Sequence, residues 1–212
     1  VIPGDLNEDE VFLVVKRTIG GATKRYIEFF SNFDFGSDVQ DAFFVDSGLT
    51  YSGSAATSIS GLDHLEGQTV SILANGATHP DKTVSSGSVT LDRSVTKAHI
   101  GLSYNSTLQT MRIDAGGTEG TAQGKIKRIH DITLRLFRTV GIQVGSSETD
   151  LDRIPFRSSA NAMDQALPLF TGDKEVEFRG GFDNDGFIVV KQNQPLPATI
   201  LAIFPRLQTF DQ

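Results

Sequence analysis

The residues able to do chemistry are few and scattered. His64, His79, His99 and His130 are the four histidines. No two have the HExxH spacing that puts two ligands on one turn of a zinc-binding helix. His99 alternates with apolar neighbours, as a strand residue does, so each histidine reads as a satisfied structural side chain. Asp183-Asn184-Asp185-Gly186 opens like a calcium loop. Calcium needs several oxygens at fixed spacing, closed in the EF-hand form by a bidentate Glu. No acid stands where that pattern needs one, and Gln194 occupies the nearby position. The same four residues suit a tight turn between strands. Glu175 and Glu177 alternate on an expected strand and share one face. Paired carboxylates can cleave glycosides, but nothing marks a cleft, and an outward strand face explains them equally well.

Other chemistries are missing at the level of residue type. There is no Cys, which excludes disulfides, thiolate metal sites and Cys nucleophiles. No G-x-S-x-G elbow occurs, so the Ser-Gly pairs are not nucleophile turns. Gly116-Gly117-Thr118-Glu119-Gly120 lacks the following Lys-Ser or Lys-Thr of a phosphate loop and is read as a plain loop. The expectation is no catalytic residue, no cofactor-binding residue and no metal. Lys125, Lys127, Arg128, His130, Arg135 and Arg138 form the one basic cluster. On a strand, Lys125, Lys127 and Arg135 share one face, and Arg128, His130 and Arg138 the other. That division suits an intersubunit salt-bridge strip or scattered solvated charges better than a DNA track. The net charge of −7 points the same way, because an acidic chain does not hold phosphates.

The elements that must position these residues are strands. Gly, Thr, Val and Ser are frequent, which favours short strands and tight turns. Val11 to Ile19 (VFLVVKRTI) and Ala22 to Phe30 (ATKRYIEFF) flank Gly20-Gly21, a strong hairpin signal. Lys16, Arg17, Lys24 and Arg25 flank that turn as solvated charges. Ser31 to Asp41 is a polar boundary. Ala42 to Tyr51 gives a short strand and turn. Turn pairs then follow at Ser52-Gly53, Ser60-Gly61, Glu66-Gly67, Asn75-Gly76 and Ser86-Gly87. Gln68 to Ala74, Ser88 to Leu91 and Ala98 to Leu102 read as strands between them, the spacing of a small barrel or sandwich. Ala115 to Gly124 is a second boundary. Lys125 to Val144 fits a strand by the shared parity of Ile132, Leu134 and Leu136, and a helix face by Ile129, Leu136 and Val140. Its Thr, Val and Ile content favours the strand. Glu175 to Phe178 and Phe187 to Gln192 read as a further strand pair, followed by Thr199 to Phe204.

Several stretches together resemble tail proteins of short-tailed phages and related prophages: VFLVVKRTIGGATKRYIEFF, DAFFVDSGLTYSG, ISGLDHLEGQTVSILANGATHPDKTV, LDRIPFRSS and PLFTGDKEVEFRGGFDNDGFIVVKQNQPLPATILAIFPRL. Their order is the family order, over nearly the whole chain. The family resembles the tail nozzle, or tail tubular protein B. Some members carry a label borrowed from ubiquitin-activating enzymes, because the segment Gly61 to Thr83 looks like a small β-barrel half-domain there. Without Cys the thioester of those enzymes cannot form. The resemblance implies a ring at the tail end, neighbouring tail proteins as partners, and DNA that passes without specific binding. It carries over no catalytic residue.

The resulting expectation is an all-β chain. Residues 39–104 form a small inserted β-barrel. Residues 1–38 and 105–212 form a discontinuous β-sandwich, in which the opening hairpin pairs with strands far along the chain. The start, Val1-Ile2-Pro3-Gly4-Asp5 without Met, reads as a fragment of a longer chain. The expected function is a structural virion protein located in a phage tail, not an enzyme and not inserted in a membrane. The alternative is a glycan-binding module for host surfaces. Sugars usually stack on exposed Trp or Tyr, and the chain has no Trp and only Tyr26, Tyr51 and Tyr104. A third hypothesis, an envelope hydrolase, lacks a catalytic constellation.

Overall fold

Gly20 and Gly21 both have positive φ, 58° and 77°, as a two-residue type I′ hairpin turn requires. The computed structural model describes residues 2–3, 9–114, 124–162 and 165–210. The expected loop at Gly116 to Gly120 lies outside them. The protein is all-β, and among the described residues helix is confined to single 3-10 turns at Val39–Asp41 and Asp63–Leu65. The chain divides into two compact units, Val1–Tyr104 with Asp164–Ala166, and Asn105–Met163 with Leu167–Gln212.

In the first unit, β1 (Ile2–Pro3) pairs with β2 (Asp9–Glu10), and β3 (Phe12–Ile19) pairs with β4 (Ala22–Phe29) from Phe12↔Phe29 to Ile19↔Ala22. The expected pairing of this hairpin with strands of the second half is not seen: β3 and β4 form a two-stranded sheet of their own. The reason lies at its turn end. Ile19 is buried in the core of the first unit and Tyr26 packs against it. The Tyr26 hydroxyl donates to the His64 carbonyl at 3.1 Å, and Arg17 forms a two-pronged bond to Glu28 at 2.9 and 3.2 Å. The hairpin is thus held locally.

Four further strands, β5 (Asp46–Ser60), β6 (Thr69–Ala74), β7 (Ala77–Thr83) and β8 (Ser88–Leu102), form an antiparallel sheet in the order β5-β8-β6-β7. Asn75-Gly76 and Ser86-Gly87 have positive φ at both residues and turn β6 into β7 and β7 into β8, as the turn pairs predict. Ser52-Gly53, expected as a turn, instead lies inside β5, where the ladder to β8 shifts register between Ser52 and Ala56. Such bulges bend a long strand, and the sheet curls around Ile59, Leu65, Val70, Ile72, Val89, Val95 and Ile100. A Cβ on Gly101 would stand 2.7 Å from the Asp46 carbonyl oxygen, so glycine is needed where β8 crosses β5.

The second unit is a two-sheet sandwich. Its strands are β9 (Ser106–Gln109), β10 (Ile126–Thr139), β11 (Gln143–Ser147), β12 (Asp150–Arg153), β13 (Phe170–Glu177), β14 (Val189–Gln192) and β15 (Ile200–Phe210). One sheet runs β13-β10-β15 and the other β12-β11-β14-β9. Ile132, Leu134 and Leu136 of the first share one core with Ile142, Val144 and Val190 of the second. The ambiguous stretch is therefore strand. β13 and β14 are not a pair: they sit in opposite sheets, β13 against β10, and β14 between β11 and β9.

Candidate functional site

The four histidines are not brought together. His64 Nε2 lies 2.8 Å from the Ser47 carbonyl and must donate to it. His79 is buried; Nδ1 lies 2.8 Å from the Pro80 carbonyl, and Nε2 lies 2.9 Å from the Asp92 amide and 3.5 Å from the Asp92 carboxylate. His99 Nε2 donates to the Gln40 carbonyl at 2.9 Å, which leaves Nδ1 to accept from the Thr50 hydroxyl at 2.9 Å. Burial holds its pKa below the ordinary value. His130 Nε2 is buried without a hydrogen-bond partner. Among the described residues, no group of three His, Cys, Asp or Glu could hold a metal ion.

At Asp183 to Gly186 the loop closes on a lysine. Lys127 is 3% exposed. Its backbone exchanges two hydrogen bonds with Asp183, at 2.7 and 2.8 Å. Its ammonium donates to the Asn184 carbonyl at 2.8 Å, and Asp185 pairs with Arg112 at 2.8 Å. Asp183 accepts from the Gly186 amide at 3.3 Å. A protein cation thus occupies the turn.

The burial of Lys127 overturns the expected division of the basic cluster. The ladder between β10 and β15 shifts register between Ile129 and Asp131. A one-residue bulge reverses which side chains face the core. Before it, Lys127 and Ile129 are buried; after it, Ile132, Leu134 and Leu136 are. Lys127 and Arg135 therefore do not share a face. Arg128 and Arg135 are both exposed, and each guanidinium sits over a phenylalanine ring, Phe182 and Phe204.

Glu175 and Glu177 do share the outer face of β13. Arg206 binds Glu175 at 3.1 Å, and Arg135 binds the neighbouring Asp173 at 2.7 Å. Glu177 stands directly opposite Asp131 in the ladder. Of the tyrosines, Tyr26 and Tyr51 spend their hydroxyls on backbone carbonyls of the same unit.

The feature that sequence reasoning missed is one face of the opening hairpin. Phe12↔Phe29 and Val14↔Ile27 are cross-strand pairs on the same side. Val14 is 74% exposed, Ile27 76% and Phe29 64%. The next pair along that face is Lys16↔Arg25, both exposed. An exposed cluster of large apolar residues beside charge is the usual mark of an interaction surface. The signal was present in the alternation of Phe12, Val14, Ile27 and Phe29. Alternation, however, reports a face to be covered and not what covers it.

Compared with known proteins, the chain matches no family model and no curated sequence. Among the described residues, no helix is long and apolar enough to cross a membrane.

Proposed function

We propose that this chain is a non-catalytic structural component of a phage tail, assembling with copies of itself and with neighbouring tail proteins around the DNA-ejection conduit. The observation that carries an assembly role is the uncovered hairpin face at Phe12, Val14, Ile27 and Phe29. A two-stranded ribbon with bare apolar residues and two open edges gains stability from a partner. The tail itself is supported by the sequence resemblance. The net charge of −7 accords with a passage that does not retain DNA. The polar groups best placed for chemistry are instead used internally: Lys127 in its loop, His79 and His99 in backbone bonds. Electron microscopy of the assembled particle, with mass spectrometry of its tail, tests the reading. A ring containing this protein is expected, and its absence from the tail would sink the assignment. A glycan array is expected to show no binding.

A further inference from the structure

Two exposed faces carry like-charge pairs of opposite sign. On the hairpin, Lys16 lies directly opposite Arg25. On the β13-β10-β15 sheet, Asp131 lies directly opposite Glu177. Like charges facing each other across a ladder are destabilising, and neither pair is neutralised by a hydrogen bond or ion pair among the described residues. Arg17 is committed to Glu28. Arg206, opposite Asp131 on β15, sends its guanidinium to Glu175, and Arg135 serves Asp173. Taking Asp131, Asp173, Glu175 and Glu177 against Arg128, Arg135 and Arg206 leaves that face with a net −1, its acids gathered at the Asp131 and Glu177 pair and along β13. Each face also has exposed apolar side chains: Val14, Ile27 and Phe29 on the hairpin, Leu201 and Phe204 on β15.

We infer that the hairpin face of one copy docks on the outer face of the β13-β10-β15 sheet of a second copy, Lys16 and Arg25 meeting Asp131 and Glu177. This rests on the assembly reading above and names the partner. Charge complementarity selects a second copy, since the hairpin pair is wholly cationic and the Asp131 and Glu177 pair is an acidic pair without a cation of its own, and it opposes hairpin-on-hairpin pairing. The two surfaces differ, so the contact is heterologous, the kind that repeats around a ring.

The test uses the full chain. Sedimentation velocity over a wide concentration range is expected to show weak, concentration-dependent association that high salt suppresses. The reversals K16E/R25E and D131K/E177K should each weaken association by about tenfold or more. Mixing the two variants should restore it, because the acidic hairpin of one then meets the basic sheet of the other. All four side chains lie on outer faces, and circular dichroism checks that both variants fold. The lack of Cys gives a second readout. Lys16→Cys and Glu177→Cys, mixed and treated with a short bis-maleimide, should yield mainly the mixed dimer. A protein that stays monomeric, reversals without effect, no rescue on mixing, or a predominance of Lys16→Cys homodimers would each overturn the contact. Absence of the protein from a tail would defeat the functional reading and leave a positive cross-link standing. A negative cross-link with the protein found in a tail ring would defeat only this contact.

Discussion

Replacing Lys127 by Met removes one ammonium and keeps most of the stem. In the native loop that ammonium is buried and donates to the Asn184 carbonyl at 2.8 Å, with Asp183 and Asp185 in the same turn. Hydrogen bonds to charged groups contribute about 1.5–3 kcal/mol. The substitution also relieves the desolvation of a buried cation, which offsets part of the loss. What decides the sign is the group left behind: a carbonyl with no donor, in a turn whose backbone is tied to β10 by two bonds to Lys127 itself. A net destabilisation of about 1–3 kcal/mol follows. In a unit of this size that is a fall in Tm of roughly 5–15 °C. Arg112→Ala is the control. It deletes an exposed ion pair to Asp185, and such pairs contribute at most about 1 kcal/mol. Thermal melts of both variants, with hydrogen exchange at the Asp183 amide, supply the comparison. A Lys127→Met protein as stable as the parent, or an Arg112→Ala protein that loses more, would refute the view that Lys127 closes the loop.

Chelation should leave the melting temperature unchanged, since the turn already holds a cation of its own; a fall reversed by calcium would revive a metal site at Asp183 to Gly186. Gly145→Ala should destabilise the second unit by about 3 kcal/mol in a urea titration, because its Cβ would lie 1.8 Å from the Asp150 carbonyl oxygen, a backbone atom that cannot swing away. Burial keeps folded His99 neutral below its ordinary pKa of 6.5, whereas the unfolded chain takes up the proton there. Its contribution is therefore complete above about pH 6.5 and declines as the pH falls. Urea midpoints between about pH 8 and pH 5 should show that slope, and His99→Gln should flatten it. The Arg17 hydrogen bond lowers the pKa of Glu28 from 4.5, so a second loss, absent in Glu28→Gln, should begin as the pH drops through about 4.5.

The parts of the fold legible in the sequence are those set by local sterics. Gly20-Gly21, Asn75-Gly76 and Ser86-Gly87 mark turns because few residues accept positive φ twice in succession. Ile132, Leu134 and Leu136 mark a buried strand face because a pleated strand alternates. Lys127 could not be placed in this way. Its burial depends on a register shift at Ile129 to Asp131 that is set by pairing with Leu207 and Arg206, some 75 residues on. Period-two reading carried across that shift puts every residue before it on the wrong side. The Ser52-Gly53 error has the same origin. A glycine inside a bulged strand and a glycine in a turn have the same local sequence, and only β8 distinguishes them.

The hairpin face shows a different limit. Phe12, Val14, Ile27 and Phe29 have the spacing of a core, and the hydrophobic effect drives their burial without specifying which molecule provides it. The opposite face mixes apolar residues with the Arg17–Glu28 ion pair, and there Ile19 and Tyr26 are met by the core of the first unit. On the assembly proposed above, the uncovered side draws on a partner's surface, and the cationic pair at its end restricts which surfaces will do. An apolar partner without acids would leave Lys16 and Arg25 in mutual repulsion. An acidic partner without apolar residues would leave Val14 and Ile27 wet. The requirement for both at once makes the surface selective, and it explains why single neutralisations at Lys16 or Arg25 should loosen a partner less than reversal of the pair.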